Sequence, residues 1–288
     1  ISSIARSHLY ATQMNVRNKF DITGRVAIIT GGAGLLGKEF AATLLEYGGK
    51  VVLADVSRER GQQAVDAINR NALGEIYYEH VDLTLKDSVD SMVESVVRRL
   101  GTVDICVNCA ALDPKFDQAS ESKHRFTFED YPLPLWQRAL AVNLTGAFLC
   151  CQAVGKVMKS SGRGVIVNIA SELGIIAPDH RIYIRRAQPE PARYKPVDYP
   201  VTKAALIHLT KYLAAYWQGQ NIRVNALCPA SVYTNQDEEL VQNISYRTIL
   251  GRMSNKDEFC GALIFLASDA SSYMTGATLV LDGGRSTW

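Results

Sequence analysis

Val26-Ala27-Ile28-Ile29-Thr30-Gly31-Gly32-Ala33-Gly34-Leu35-Leu36-Gly37-Lys38 decides the reading of this chain. A run of β-formers enters a glycine-rich turn, and a helical pattern leaves it. Gly32-x-Gly34-x-x-Gly37 fits the dinucleotide fingerprint in the strand–turn–helix setting that gives the motif its meaning. Glycines permit a tight turn and close backbone approach. The helix N-terminus then offers free N–H groups and a positive dipole end to a pyrophosphate. A glycine-rich turn without a ligand reads the same at this level, so the second strand matters. It ends in Asp55, which lies 55 − 37 = 18 residues past Gly37, near the roughly 20 expected of an acidic ribose ligand. A carboxylate there accepts both ribose hydroxyls and repels a 2′-phosphate, which favours NAD over NADP. Arg58 and Arg60 stand close by and are what an NADP site would use.

Working outward, short apolar runs recur at Val26–Thr30, Val51–Ala54, Ile76–Val81, Ile105–Val107, Val165–Ile169, Val224–Ala226 and Thr278–Leu281. Their near-continuous apolar character suits strands buried on both faces of a parallel sheet. Helical patterns lie between them, near 36–47, 58–71, 86–99, 135–159, 200–218 and 256–267. The alternation predicts one doubly wound α/β domain over residues 20–288, with a seven-stranded parallel sheet and helices on both faces. Residues 1–19 read as an arm outside the core, without the apolar segment of a secretory signal. Two stretches, near 112–134 and 174–198, exceed ordinary loop length, and long loops at strand ends are where such folds place function.

Composition narrows the field. The 288 residues carry 31 Lys+Arg against 29 Asp+Glu, a formal net charge of +2, with 47% hydrophobic residues. That is globular composition with no electrostatic case for nucleic acid or an anionic membrane. No apolar run in the sequence approaches the roughly 20 residues needed to span a bilayer. The six cysteines, Cys106, Cys109, Cys150, Cys151, Cys228 and Cys260, sit in apolar runs. Cys106-x-x-Cys109 lacks a second ligand pair at zinc spacing, so no metal is expected. Buried reduced thiols acting as small hydrophobes are the expectation, and with them a cytoplasmic location.

Tyr199-Pro200-Val201-Thr202-Lys203 puts a phenol and an ammonium on one face of a helix that starts near Tyr199, since Pro200 fits only a first turn. A nearby ammonium stabilises a phenolate and pulls its pKa towards working pH, where a general acid/base is most useful. With 13 tyrosines in the chain the pair alone is weak. Its company is stronger: Asp82 in Val81-Asp82-Leu83-Thr84, Asn108-Cys109-Ala110-Ala111, Asn143 in Val142-Asn143-Leu144-Thr145-Gly146, Ser171 in Asn168-Ile169-Ala170-Ser171-x-x-Gly174, Pro229-Ala230-Ser231-Val232-Tyr233-Thr234, and Leu281-Asp282-Gly283-Gly284. In this order, from Phe20 to Trp288, the sequence resembles the single-domain branch of the short-chain dehydrogenase/reductase family, a Rossmann fold. It departs from the family pattern at Leu35, Cys109, Ala111 and Ala230, each near a position where that pattern has glycine or asparagine.

The resemblance implies a mechanism. Tyr199 would exchange a proton with the substrate oxygen, Ser171 would hydrogen-bond that oxygen, Lys203 would lower the Tyr199 pKa and hold the nicotinamide ribose, and Asn143 would position a water. Gly31, Gly34, Leu35, Leu36, Gly37, Asp55, Val56, Asp82, Leu83, Asn108, Ala110, Tyr199, Lys203, Pro229, Val232 and Thr234 would line the dinucleotide. Each has a blander reading. Asn143 satisfies buried backbone groups, Ser171 caps a loop, Tyr199 is a core aromatic, and Lys203 is a solvated charge. Gly146 and Gly155 read as close-packing positions. The family also implies a homotetramer or homodimer, with the helices 135–159 and 200–218 at one interface and the C-terminal strand at another.

Ser171 and Tyr199 are 199 − 171 = 28 residues apart, about twice the family's usual separation, so residues 175–198 contain an insertion. It carries His180, Arg181, Arg185, Arg186, Arg193 and Lys195, and Lys115, Lys123, His124 and Arg125 lie in the other long loop. A solvated charged loop is the plain reading. An anion clamp is the functional one. The polar stretch 235–252 argues against a greasy pocket. The expectation is a polar, sugar-like substrate, phosphorylated or nucleotide-linked, and a finer likeness to oxidoreductases of flagellin-modification sugars points the same way. An NADPH-dependent ketoreductase acting on 3-oxoacyl thioesters is the alternative enzyme. A non-catalytic dinucleotide-binding scaffold is the alternative outside enzymes.

Overall fold

Seven strands, β1 (Val26–Thr30), β2 (Lys50–Asp55), β3 (Ile76–His80), β4 (Ile105–Asn108), β5 (Gly164–Ile169), β6 (Ile222–Pro229) and β7 (Thr278–Leu281), pair in parallel in the order β3-β2-β1-β4-β5-β6-β7. The computed structural model describes residues 15–70, 74–113, 126–184 and 194–288. The helices are α1 (Leu35–Glu46), α2 (Arg58–Asn69), α3 (Lys86–Leu100), α4 (Leu133–Ala139), α5 (Gly146–Ser161), α6 (Asp198–Tyr216), α7 (Glu238–Tyr246) and α8 (Cys260–Ala267). Strand order reverses between β1 and β4, so a crevice opens at their C-terminal ends. In register, Thr30 lies beside Ala54 and Asn108, and Asn108 beside Asn168.

The alternation along β1 explains its unbroken apolar run. Ala27 and Ile29 join Phe40, Leu44, Ala64 and Leu263 on one face, while Val26 and Ile28 join Met92, Val96, Val154 and Leu213 on the other. Both faces of the strand are therefore dry. Gly146 and Gly155 are packing glycines, as expected. An added Cβ at Gly146 would stand 2.8 Å from the Leu83 side chain, and one at Gly155 2.5 Å from the Trp217 ring.

Two expectations need correction. The segment 133–161 is helical from end to end, with a π-helical turn at Leu140–Thr145 joining α4 to α5. Its 29 residues are long and apolar enough to cross a membrane by length and composition, although no single run in the sequence looked it. Interspersed polar residues such as Gln137, Arg138 and Asn143 hid that in the primary sequence. In the fold its buried side, including Cys150, Cys151, Val154 and Met158, packs into the core face shared with β4 and β5. The second correction is α7, which falls within the polar stretch 235–252. Asp237 caps it, its side chain accepting from the Leu240 N–H at 3.0 Å. Leu240 and Ile244, one turn apart, reach inward to Ile182, Tyr183 and Met253. One apolar residue per turn is enough to bury a helix whose other face is Glu238, Glu239 and Gln242. All six cysteines are free thiols, and Cys106, Cys150, Cys151 and Cys228 are buried.

Candidate active site

The turn after β1 is held by its neighbours. The Thr30 hydroxyl accepts from the Cys109 and Ala110 N–H groups at 3.2 and 3.3 Å, tying the turn to the end of β4. Gly31 has φ +64°, and a Cβ there would stand 2.7 Å from the Ala110 Cα. Ala110 is thus packed against the turn. At Gly37 a Cβ would stand 2.5 Å from the Gly31 carbonyl oxygen. Gly34 caps α1, and Leu35, in place of the family's glycine, is exposed at the first helical position. Leu36 packs against the core. This is the close-packed cradle that a dinucleotide pyrophosphate requires.

Asp55 closes the cradle. Its Oδ2 accepts from the Ala33 N–H at 3.1 Å and its Oδ1 from the Ser57 N–H at 3.0 Å. Arg60 Nη2 donates to the Ala33 carbonyl at 3.2 Å, so a guanidinium shares the rim with the carboxylate. Val56 follows, well exposed. The residues therefore fit an NAD(P)-type adenosine ribose. Asp82 accepts from the Thr84 N–H and hydroxyl at 2.9 and 2.7 Å through one oxygen, which holds its carboxyl below the ordinary value. Leu83 is buried under Gly146. On the other side of the crevice, Pro229 ends β6, Val232 pairs with Ser254, and the Thr234 N–H is bound by Gln236 at 2.7 Å.

Asn108 is not aimed at a cofactor. Its Nδ2 donates to Asn168 Oδ1 at 2.8 Å and to Cys151 Sγ at 3.3 Å, and Asn168 donates to the Thr210 hydroxyl at 2.8 Å. Its side chain belongs to a buried polar ladder stitching β4 and β5 to α6, because a dry amide must find partners.

Ser171, just past the end of β5, and Tyr199, in the first turn of α6, are neighbours. Ser171 also caps a short turn by accepting from the Leu173 N–H at 3.2 Å. Lys203 is 2% exposed and donates from Nζ to the Ile169 carbonyl at 2.6 Å, so it is no surface charge. Its Nζ is 5.6 Å from the Tyr199 ring centroid. Acidification by Lys203 does not dominate Tyr199 here. Burial raises the phenol above its ordinary value, Asp113 adds to the rise, and the neighbouring Ser171 side chain opposes it. Burial likewise lowers Lys203. Asn143 does satisfy backbone, its Oδ1 accepting from the Leu112 N–H at 2.7 Å and its Nδ2 donating to the Leu112 carbonyl at 3.1 Å. It also donates to Thr202 at 3.3 Å, one residue before Lys203. Asn143 thereby pins the start of the long loop after β4 to α6.

Sequence reasoning missed three features. Lys195 Nζ pairs with Asp113 and lies 4.1 Å from the Tyr199 ring centroid. The Tyr131 hydroxyl donates to Asp198 Oδ2 at 2.6 Å, directly beside Tyr199. Glu172 is buried next to Ser171, facing Arg285 at 3.4 Å, and burial raises its carboxyl to about 7. Of the suggested anion clamp, Arg181 is paired with Asp179, which also holds Arg247, and His180 Nδ1 accepts from the Lys195 N–H. Arg185, Arg186 and Arg193, with Lys115, Lys123, His124 and Arg125, lie outside the described residues.

With this geometry in view, comparison with known proteins is informative. A family model described as enoyl-(acyl carrier protein) reductase matches residues 32–286. The chain is similar to an NAD-dependent glycerol dehydrogenase of Listeria innocua, 31% identical over 92% of this chain and 95% of the relative. It is similar to a 3-alpha-(or 20-beta)-hydroxysteroid dehydrogenase of Mycobacterium tuberculosis, 34% identical over 91% of this chain and 90% of the relative. Its fold matches that of a gluconate 5-dehydrogenase from Burkholderia cenocepacia in complex with NADP and tartrate, with TM-score 0.81 and 29% identity over 95% and 100% of the two chains. A parallel sheet with a glycine cradle at its switch point and a Ser–Tyr–Lys set beside it defines a nucleotide-dependent oxidoreductase. The chain belongs to the short-chain dehydrogenase/reductase family and acts on CH–OH or C=O groups with a pyridine nucleotide.

Proposed function

We propose that this protein uses NAD to oxidise a secondary alcohol of a polyol or sugar-like substrate, or reduces the matching ketone. One observation carries the reading: Ser171, just past β5, stands beside Tyr199 in the first turn of α6, with Lys203 buried one turn further along that helix. The bound nicotinamide supplies hydride transfer at its C4. The chain supplies the rest. Tyr199 exchanges the proton at the substrate oxygen, and Ser171 orients that oxygen. Lys203 is placed to hold the nicotinamide ribose, and Asn143 keeps the flanking loop in register with α6. A water positioned by Asn143 would complete the proton path to Lys203.

Asp55 supports NAD, because an added phosphate would meet its carboxylate. Arg60 at the same rim favours the second reading, an NADPH-dependent ketoreductase. Among the described cations, Arg181, Arg247 and Lys195 are already engaged by carboxylates. A phosphate bound by these three would have to displace their carboxylates, which favours a neutral polyol or keto-sugar. The free cysteines support a cytoplasmic location. Exposed Phe148, Val201, Tyr212 and Tyr216 on α5 and α6 support a dimer or tetramer. Light scattering at micromolar concentration checks that, and a monomer would reject it.

The test of function is NADH or NADPH formation with a panel of polyols, sugars, phosphorylated sugars, a hydroxysteroid and hydroxyacyl thioesters. NAD-dependent turnover of polyols, lost in Tyr199→Phe, is the expected result. Turnover only of hydroxyacyl thioesters with NADP would establish the second reading. NAD binding without turnover on any substrate would mean a scaffold.

A further inference from the structure

Lys195 belongs to the insertion that lengthens the Ser171–Tyr199 interval, and Asp113 to the other long loop. They are 82 residues apart in sequence and form an ion pair. The Lys195 side chain is 8% exposed, whereas Asp113 is 45% exposed. The pair sits against the catalytic tyrosine, with the ammonium nitrogen 4.1 Å from its ring centroid, closer than that of Lys203 at 5.6 Å. A cation at that distance from an aromatic face is attracted by the ring's π charge. The attraction grows when the phenol ionises, because phenolate charge spreads into the ring.

We propose that Lys195 is a second cationic positioning residue for Tyr199: held by Asp113 against the ring face, its ammonium favours the phenolate and sets the pH at which proton transfer runs. The proposal rests on the reading of Tyr199 as the proton-transfer residue. The groups around Tyr199 define its balance. Asp113 and Cys109 approach from the end of β4, Ser171 and Glu172 from the end of β5, Lys195 and Asp198 from the segment entering α6, and Lys203 from the next turn of α6. Asp198 is occupied by Tyr131. Among the described residues, Lys195 and Lys203 are the cations facing the Tyr199 ring, and Asp113, the counter-ion of Lys195, comes from a different loop. Removing either member of the pair therefore moves Tyr199 in opposite directions.

The test is the pH dependence of kcat/KM for NAD-dependent oxidation of the best alcohol of the panel. Lys195→Met should move the midpoint of the rising limb up by about one pH unit, and Asp113→Asn should move it down by a similar amount. Below the midpoints each shift reads as roughly tenfold in kcat/KM, a loss for Lys195→Met and a gain for Asp113→Asn. Lys195→Arg should keep the wild-type midpoint. Variants that lose rate with the midpoint unmoved, or that both move it the same way, overturn the proposal and make the pair a loop clasp.

A wild-type enzyme inactive on every alcohol would instead sink the dehydrogenase reading. The Lys195 question is then decided by carbon-13 NMR of tyrosine-labelled protein with NAD⁺, the Tyr199 signal being the one lost in Tyr199→Phe. Ionisation in the order Asp113→Asn, wild type, Lys195→Met with rising pH supports the proposal. Coincident titration curves overturn it.

Discussion

Replacing Gly37 by alanine isolates the cofactor cradle. The new methyl would stand 2.5 Å from the Gly31 carbonyl oxygen, 2.8 Å from the Gly32 Cα and 2.9 Å from the Gly32 oxygen. The first contact is 0.9 Å inside the 3.4 Å at which ordinary contact begins. All three atoms are backbone, so no rotamer change relieves them, and the turn itself must move. Overpacking of this kind costs about 1–3 kcal/mol. Alanine's better helix propensity returns at most about 1 kcal/mol. The balance is destabilising, and for a chain of this size it lowers Tm by about 2–6 °C. The displaced atoms are those that would face the pyrophosphate, so NAD affinity should fall by roughly tenfold or more, equivalent to about 1.4 kcal/mol.

Gly261→Ala is the control. That residue is exposed in α8 with nothing within 4 Å of the added carbon. It should gain about 0.5–1 kcal/mol and bind NAD unchanged. Thermal unfolding and calorimetric titration with NAD⁺ read both variants. If Gly37→Ala kept the wild-type Tm and Kd, or Gly261→Ala proved equally harmful, the packing argument would be refuted.

Three further outcomes follow from the same structure. Asp55→Ala removes the carboxylate beside Arg60 and should shift kcat/KM towards NADP⁺ by about tenfold or more. An unchanged ratio would take Asp55 out of cofactor choice. Asn168→Leu leaves the Asn108 amide with only the Cys151 sulfur and takes from Thr210 the bond it accepts, in a dry interior, and should cost about 1–3 kcal/mol by urea denaturation. A loss under 1 kcal/mol would count against the ladder. The buried Glu172 carboxyl is raised from 4.5 to about 7, mainly by desolvation and against Arg285. The folded state thus keeps its proton where the unfolded chain has released it. That contribution is full below pH about 4.5 and is lost as pH rises to about 7, up to on the order of 3 kcal/mol. Glu172→Gln should flatten the fall in unfolding free energy over that window, and an equal slope in both proteins would reject it.

What could be read from the sequence was what local rules write into it. The β1 turn announced itself because glycine, strand and helix must be adjacent in the chain to build a cradle. Six helices and seven strands were legible because burial on both sheet faces leaves continuous apolar runs. α7 was not, since two inward residues, Leu240 and Ile244, anchor a helix that is otherwise polar. The bilayer-length character of 133–161 was hidden for the converse reason, as polar residues interrupt its apolar faces without interrupting its backbone.

The motif residues proposed for catalysis stand in family order in the sequence, but their partners could not be read there. Asn108 carries the family's motif position and nevertheless turns inward, because its neighbour in register is another buried asparagine, Asn168. No periodicity encodes that meeting, nor the meetings of Glu172 with Arg285 or Asp113 with Lys195. Each joins charges from loops at opposite ends of long crossovers, and a charged residue in a polar loop looks solvated until the fold supplies its counter-ion. The consequence is specific to this site. A motif can place Tyr199 and Lys203 four residues apart, but it says nothing of the electrostatic surroundings that decide when Tyr199 ionises. Part of those surroundings, the Asp113–Lys195 pair, comes from the two loops in which this chain spends its extra length, where sequence order is least informative.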